Sequence, residues 1–276
     1  MNAYTRIKSV IPRPVKRVLS PALGYCRRLR DRIRFAREAL EIPGDQIGPA
    51  QAMLRHLYGV EARECPLCGY LGPFRAYGDP PRFDVVCARC GSHERHRLLG
   101  LYLKANPVSG EVIHLAPEPC VAPLLRENAT RYRTADLFMP GCNLQLNLEA
   151  IDLPDQSVDV FICSHLLEHV DDRKALAELY RCTRPGGKVI IMVPIIEGWE
   201  RTYENPEALR DAESRTLHFL QFDHVRLYGA DLRDRIRAAG FELDEFQTSP
   251  QDGIRYGLLR GETVFIASRT LIQKLN

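Results

Sequence analysis

The 276-residue chain lacks any run of about 18 consecutive apolar residues, so no segment predicts a membrane-spanning helix. It also lacks internal repeats and low-complexity tracts, which argues against solenoid and fibrous architectures. The apolar stretches near the N-terminus are interrupted by charged residues and prolines: Arg13, Pro14, Lys16, Arg17 and Pro21. This pattern does not predict a cleaved secretory signal. An apolar content of 45% and a charged content of 26% are typical of a soluble globular protein.

The charge is unevenly distributed along the chain. Residues 1–40 contain eleven Lys and Arg but two Asp and Glu, which gives +9 and leaves −6 for the rest of a chain whose net charge is +3. We interpret residues 1–58 as a basic helical arm that suits an anionic partner, such as a membrane surface, a nucleic acid or an acidic protein. The alternative is a solvated, partly helical leader.

Four of the nine cysteines form two C-x-x-C pairs, at Cys65 and Cys68 and at Cys87 and Cys90, with eighteen residues between the pairs. A glycine follows each pair, which lets backbone amides approach the sulfur atoms. Four thiolates at this spacing predict a closed, tetrahedral and therefore structural Zn²⁺ site. We assign residues 59–97 to a zinc ribbon. His93 and His96 are alternative ligands, but we expect them to contact the main domain instead.

The other five cysteines are scattered through apolar segments: Cys26, Cys120, Cys142, Cys163 and Cys182. An odd number in such positions indicates reduced core thiols rather than disulfides, and it favours a cytoplasmic location.

From Glu111 the sequence alternates short apolar runs with amphipathic helices. Strands are predicted over residues 111–116, 144–148, 158–164 and 188–194, and a further strand ends at Asp136. Alternation of this kind predicts an α/β fold with a mostly parallel, doubly wound sheet covered by helices on both faces. We assign residues 98–276 to this domain. The interval 195–229 is too long for a simple connection, so we expect a functional insert there.

In such a sheet, ligands bind where the parallel strands end. Residues 116–118 follow the first strand, and Asp136 comes twenty residues after Ala116, where a carboxylate can accept hydrogen bonds from ribose hydroxyls. Two further segments end strands at the same edge: Asn147-Leu148 and Ser164-His165.

The run LPDQSVDVFICSHLLEHVDDRKALAELYRCTRPGGKVIIMVP, residues 153–194, resembles the centre of the class I S-adenosylmethionine-dependent methyltransferases (methyltransferase type 11-like). The matching features are the LEHV segment and the R-x-x-R-P-G-G turn before an apolar strand. The CPxCG ribbon, with the GSHERHR and DHVRLYG segments, resembles one subgroup. The resemblance implies a Rossmann-like, seven-stranded sheet and S-adenosyl-L-methionine as cofactor. It also implies cofactor contacts from Ala116, Pro117, Glu118, Asp136, Asn147, Leu148 and Ser164.

The chain departs from this family at the loop after the first strand. The family has D/E-x-G-x-G there, whereas this chain has Ala-Pro-Glu-Pro-Cys at residues 116–120. S-adenosylmethionine has no phosphate, so an extended turn without glycines can serve, and Glu118 would then meet the ammonium group of the methionine moiety.

Methyl transfer from a sulfonium is an in-line displacement, and an oxygen or nitrogen acceptor also needs a base within hydrogen-bonding reach. His165 and His224 are the candidate catalytic bases, with Asp223 orienting His224. Alternatively, the His and Arg of DHVRLYG form a structural latch by pairing with Glu168. Trp199 and Tyr203 in the insert are candidates for a lid over the acceptor.

The preferred acceptor is a small molecule, a sugar or a lipid-linked intermediate. An RNA methyltransferase that docks through the ribbon and the basic arm is an alternative, but the ribbon lacks aromatic residues interleaved with Lys and Arg. A non-catalytic binding protein that kept the fold is the third hypothesis. The sequence leaves the oligomeric state open.

Overall fold

The structure of the protein is a computed structural model, which describes residues 62–78 and 82–271. The expected basic arm and Cys26 lie outside the described residues. Of the helices within the described ranges, none combines the length and the apolar character required to cross a membrane.

The cysteine module consists of two short antiparallel strand pairs. The strands are β1 (Arg63–Glu64), which pairs with β2 (Leu71–Gly72), and β3 (Arg75–Tyr77), which pairs with β4 (Arg82–Val86). A small buried cluster of Cys65, Phe74 and Cys87 lies between them. So small a core needs further stabilisation, for which a bound metal is one of the usual solutions.

Seven strands form one mixed sheet. In chain order they are β5 (Gly110–Leu115), β6 (Ala129–Asp136), β7 (Leu144–Gln145), β8 (Val158–Ser164), β9 (Thr183–Met192), β10 (Glu242–Phe246) and β11 (Val264–Ser268). Their order in the sheet is β10-β11-β9-β8-β5-β6-β7. Strands β5 to β9 are parallel, and β11 pairs antiparallel with both of its neighbours, β9 and β10. The chain winds outward from β5 to β7 and then continues on the other side with β8, so the strand order reverses at β5. The predicted doubly wound sheet is confirmed.

Helices cover both faces of the sheet because side chains alternate between the faces along each central strand. Among the described residues the α-helices are, in chain order, α1 (Glu94–Ala105), α2 (Ala122–Asn128), α3 (Asp172–Cys182), α4 (Ala212–Phe219), α5 (Leu232–Ala238) and α6 (Pro250–Tyr256). Phe161 and Cys163 of β8 pack in the core beneath α3 and α5. Val160 and Ile162 of the same strand pack in the core beneath α1 and α2.

Arg97 ties the cysteine module to the sheet domain. It is fully buried, and all five of its N–H groups donate to backbone carbonyls, those of Asp84, Val85, Ser92, Tyr256 and Gly257. Its guanidinium also lies 4.4 Å from the ring centroid of Phe74. The expected contact of the GSHERHR segment with the main domain is therefore observed. Helix α1, which carries Arg97, also crosses the domain boundary expected at residues 97 and 98.

Three local features differ from the sequence prediction. Pro185-Gly186-Gly187 does not separate α3 from β9 but lies within β9, at an irregularity in its pairing with β8. A Cβ at Gly187 would lie 2.7 Å from the backbone oxygen of Asp159, so this close approach requires glycine. Strand β7 has two residues instead of five, and α6 was not predicted.

Candidate functional site

A cavity of about 710 Å³ opens where β5, β6 and β7 end. Its walls carry four of the predicted cofactor-binding residues: Ala116, Asp136, Asn147 and Leu148. The volume is within the range of roughly 300–1,000 Å³ that is typical of small-molecule sites. The location next to the reversal of strand order is where ligands bind in sheets of this class.

Asp136 ends β6 and uses one carboxylate oxygen to hold its own loop. Oδ1 accepts hydrogen bonds from the backbone N–H groups of Phe138 and Met139, both at 2.7 Å. Within the described residues, hydrogen bonds to this carboxylate reach Oδ1 alone, which leaves Oδ2 to accept from a ligand. Asn147 is arranged in the same way, because its Oδ1 accepts from the backbone N–H of Glu149 at 3.0 Å.

The turn after β5 is built without glycine. Ala116 has φ of 42°, in the left-handed region that costs a non-glycine residue about 1–2 kcal/mol. Its N–H donates to the Ala135 carbonyl at 2.8 Å, which fixes the turn beside β6. The Glu118 carboxylate lies 2.6 Å from Nε2 of His114, which is fully buried. The chain therefore adopts the sharp turn through these contacts.

Glu118 faces the protein interior in this arrangement. Besides His114, its carboxylate lies 3.8 Å from Nε2 of His96. Burial acts to raise the pKa of Glu118, but the hydrogen bond with His114 and the neighbouring histidines hold that pKa below its ordinary value. Burial also lowers the pKa of His96 to about 3, so its imidazole is neutral at pH 7. Neither Pro117 nor Glu118 is among the described residues that line the 710 Å³ cavity.

Ser164 and His165 lie at the end of β8, beneath a buried carboxylate. His165 has φ of 53°, and its Nδ1 lies 3.4 Å from Oε1 of Glu168. Glu168 is 1% exposed, and neither of its carboxylate oxygens has a hydrogen-bond partner within residues 62–78 and 82–271. Ser164 is also buried, and its hydroxyl faces the Glu118 carboxylate, whose pKa it helps to lower.

His224, the other predicted base, belongs to the same cluster. Ligand-type atoms of Glu168, His169 and His224 all lie within 4.8 Å of one another. The rings of His169 and His224 meet edge to face, with their centroids 4.7 Å apart. Burial lowers the pKa of His224. The structure thus brings both predicted catalytic histidines to Glu168.

Asp223 does not orient His224 as expected from their adjacency in sequence. Its carboxylate lies 3.4 Å from Nδ1 of His169, and its backbone oxygen lies 3.3 Å from the same nitrogen. His169 and Asp223 both line the cavity, whereas the lining residues within the described ranges include none of Ser164, His165 and His224.

The DHVRLYG segment does form a latch, but through Arg226 and a backbone hydrogen bond from Val225 to the Glu168 carbonyl at 2.9 Å rather than through the Glu168 carboxylate. Arg226 Nη1 donates to the carbonyls of Leu167 and Val170 at 2.7 and 2.5 Å. Its other nitrogens pair with Asp172 at 3.7 Å and with Glu204 at 2.9 Å. The insert is therefore fixed to the turn that carries Glu168 and His169.

The insert supplies cavity residues that the sequence did not indicate. Leu209, Arg215, Asp223 and Val225 line the cavity, whereas neither Trp199 nor Tyr203 is among the described lining residues. Tyr203 instead hydrogen-bonds through its hydroxyl to Nδ1 of His218 at 2.7 Å. Phe138, which was also missed, lines the cavity although it is 87% exposed.

The four paired cysteines come together as predicted. The Sγ atoms of Cys65 and Cys90 are 3.6 Å apart, and those of Cys68 and Cys87 are 3.7 Å apart. Four sulfurs at about 2.3 Å around a tetrahedral Zn²⁺ would lie about 3.8 Å apart. Ser92 is buried beside them, with its hydroxyl 3.4 Å from the Cys65 sulfur. These donors fit a zinc ion, and within the described ranges neither His93 nor His96 belongs to the group.

Comparison with known proteins finds similarity to methyltransferases over the first part of the sheet domain. Residues 97–191 match the family described as "Methyltransferase domain". A "probable S-adenosylmethionine-dependent methyltransferase" of Mycolicibacterium smegmatis is 31% identical over 100 residues, which cover 36% of this chain and 34% of that protein. Both matches are to methyltransferases, and each covers about a third of this chain.

Two further similarities are also to methyltransferases. A ubiquinone/menaquinone biosynthesis C-methyltransferase of Escherichia coli is 37% identical over 65 residues, 22% of this chain and 26% of the relative. The chain thus spans about a third or less of the length of the curated relatives it matches. The structure of a Burkholderia thailandensis 1,6-didemethyltoxoflavin-N1-methyltransferase aligns with a TM-score of 0.43 and 20% identity, over 62% of this chain and 76% of that one.

Proposed function

We propose that this chain transfers a methyl group from S-adenosylmethionine to an oxygen or nitrogen atom of a small-molecule, sugar or lipid-linked acceptor. The observation that carries the proposal is the cavity of about 710 Å³ bordered by the ends of β5, β6 and β7, with Asp136 at its edge. Its volume leaves room for a nucleoside beside Asp136, although the loop after β5 lacks glycines.

The cavity suits the adenosine part of the cofactor. Oδ2 of Asp136 would accept from the ribose hydroxyls, and Asn147 would contact the adenine edge. Leu115, Leu148 and Phe138 supply apolar and aromatic walls for the flat base.

The methionine part would extend from Ala116 toward the end of β8. Pro117, Glu118 and Ser164 are the candidate contacts there, and the cofactor ammonium would share the Glu118 carboxylate with His114. His165 and His224 are the candidate bases for an acceptor hydroxyl or amine. Burial favours a neutral His224, which is the form that can accept a proton.

The acceptor would enter between the insert and the turn at residues 167–169. The wall there combines Leu209 and Val225 with Arg215, whose buried Nε has no partner among the described residues. An apolar acceptor that carries a carbonyl or anionic oxygen matches this wall.

The four-cysteine module would hold a structural Zn²⁺, which supports the fold and leaves no open position for catalysis. Reduced thiolates are required for that ion, so we propose a cytoplasmic location, where thiols are kept reduced. We also propose that the basic residues 1–40 bind an anionic surface of a partner.

Calorimetric titration with S-adenosylhomocysteine tests the proposal. We expect saturable heat and a raised melting temperature. No heat and no thermal shift at millimolar cofactor would instead favour the non-catalytic binding protein. With binding established, incubation of the protein with methyl-labelled cofactor and separate small-molecule, lipid and RNA fractions identifies the acceptor class, and label in RNA alone would support the alternative activity.

A further inference from the structure

The buried carboxylate of Glu168 has an ion-pair contact with Nδ1 of His165 at 3.4 Å, but it makes no hydrogen bond within the described residues. It is 1% exposed, and neither oxygen has a hydrogen-bond partner in the described part of the chain. An ionised carboxylate in such a place costs several kcal/mol unless a cation compensates it. The nearby arginine, Arg226, bonds instead to Asp172, Glu204 and backbone carbonyls.

The imidazoles of His169 and His224 lie next to this carboxylate. The donor atoms of Glu168, His169 and His224 lie within 4.8 Å of one another. Nδ1 of His224 is buried and has no partner among the residues that the structure describes. In a tetrahedral site with bonds of about 2.1 Å the donors lie about 3.4 Å apart, so each atom needs to move inward by less than about 1 Å.

His169 has the polar contact that metal-bound histidines show. Its Nδ1 faces the backbone oxygen of Asp223 at 3.3 Å and the Asp223 carboxylate at 3.4 Å. A histidine ligand usually donates its other ring N–H to a carboxylate or a carbonyl, which orients the ring and increases its basicity. With Nδ1 engaged by Asp223, Nε2 of His169 would be the nitrogen that binds an ion.

We propose that Glu168, His169 and His224 bind a divalent transition-metal ion of the zinc or iron(II) class at the wall of the cavity. Two histidines and one carboxylate are a donor set that such ions use with positions left open. His169 and Asp223 line the cavity, so an open position would face it. This role rests on the proposed function: an acceptor oxygen would occupy the open position, and the ion would lower the pKa of the acceptor hydroxyl. Because His224 would then be a metal ligand, His165 would remain as the candidate base.

Metal stoichiometry of the whole protein tests the proposal. The protein is stripped with a chelator, reconstituted with excess Zn²⁺, passed over a desalting column and analysed for zinc per chain. We expect the wild type to hold one ion at this site besides that of the four cysteines. Glu168→Gln and His224→Gln should each lose the ion at this site and keep the other. His218→Gln, in the same insert but bonded to Tyr203, is the matched control and should keep the wild-type content.

Reconstitution with Co²⁺ distinguishes the two sites by their donors. Cobalt at the four cysteines shows thiolate charge-transfer absorption, whereas cobalt at the proposed site shows d–d bands without it. Asp223→Asn should weaken the second class of Co²⁺ binding by roughly 10–100-fold, the usual cost of losing a contact to a ligating histidine. The proposal is overturned if wild-type protein binds cobalt through thiolates alone, or if Glu168→Gln matches the wild type in metal content.

A test of cofactor binding on the same samples distinguishes failure of the metal site from failure of the proposed function. Calorimetry with S-adenosylhomocysteine is performed on the same metal-free and reconstituted samples. Cofactor binding without the second ion contradicts the metal site alone, whereas a second ion without cofactor binding contradicts the proposed function alone. Because the wild-type stoichiometry is itself decisive, misfolding of a variant does not protect the proposal.

Discussion

Replacement of Asp136 by asparagine should weaken cofactor binding and leave the fold intact. The amide oxygen of asparagine can take the place of Oδ1 and keep both hydrogen bonds from Phe138 and Met139. The amide nitrogen then replaces Oδ2, and it cannot accept a hydrogen bond from a ribose hydroxyl. The substitution therefore separates the structural oxygen from the binding oxygen of one side chain.

The size of the effect follows from the charge that is lost. A hydrogen bond to a charged group contributes about 1.5–3 kcal/mol. At about 1.4 kcal/mol for each factor of ten, the Kd for S-adenosylhomocysteine should rise by roughly 10- to 150-fold. Asp136→Ala should weaken binding at least as much, and it should also lower the melting temperature because it removes both loop hydrogen bonds.

The assay is isothermal calorimetry with S-adenosylhomocysteine, together with a thermal melt of each variant. Asp234→Asn is the matched control, because Asp234 is an exposed carboxylate on α5 outside the residues that line the cavity. A Kd for Asp136→Asn within about twofold of the wild type would refute the assignment of Oδ2 to the ribose.

Three further predictions concern how the module and the insert are held in place. Arg97→Lys should destabilise the protein by about 3 kcal/mol or more in denaturant unfolding, because an ammonium has three donors where the buried guanidinium uses five. Gly229→Ala should loosen the insert, since the added Cβ would lie 2.6 Å from the Arg201 carbonyl; faster proteolysis within residues 195–229 checks this. Hydrogen bonds from Arg235 lower the pKa of Glu204 from 4.5 to about 2, so its stabilising contribution is complete above pH 4.5 and is lost as the pH falls toward 2. Glu204→Gln should flatten that part of the pH–stability curve, by a small amount because the side chain is 41% exposed.

The central sheet could be predicted because its signals are local. The β-branched run of residues 158–164 coincides with β8, and the strand predicted over residues 188–194 overlaps β9. Helix α6 was missed although Ser249 caps it and Gly257 ends it in a left-handed conformation. None of its residues is buried, so it lacks the apolar period on which helix prediction depends.

The cavity was predicted on one side and missed on the other for a physical reason. Asp136, Asn147 and Leu148 follow strands, and parallel strands bring their ends to one edge. The opposite wall comes from the insert, which is positioned by contacts between residues far apart in sequence. The Arg226 hydrogen bond to Leu167, for instance, joins residues 59 apart. The periodicity of apolar residues in the sequence does not predict such a contact.

Under the proposed function, the same contacts would determine acceptor specificity. Asp172, at the start of α3, receives Arg226, Arg235 and the hydroxyl of Tyr228, so the insert and α5 converge on one buried carboxylate. Burial of such a charge is tolerated because three donors surround it, and removal of any of them would leave it undercompensated. The sheet side of the cavity is thus set by strand ends that suit a nucleoside, whereas the facing wall is set by a polar network that can change independently of the sheet. We infer that substitutions in residues 195–229 would alter the acceptor while leaving cofactor binding unchanged.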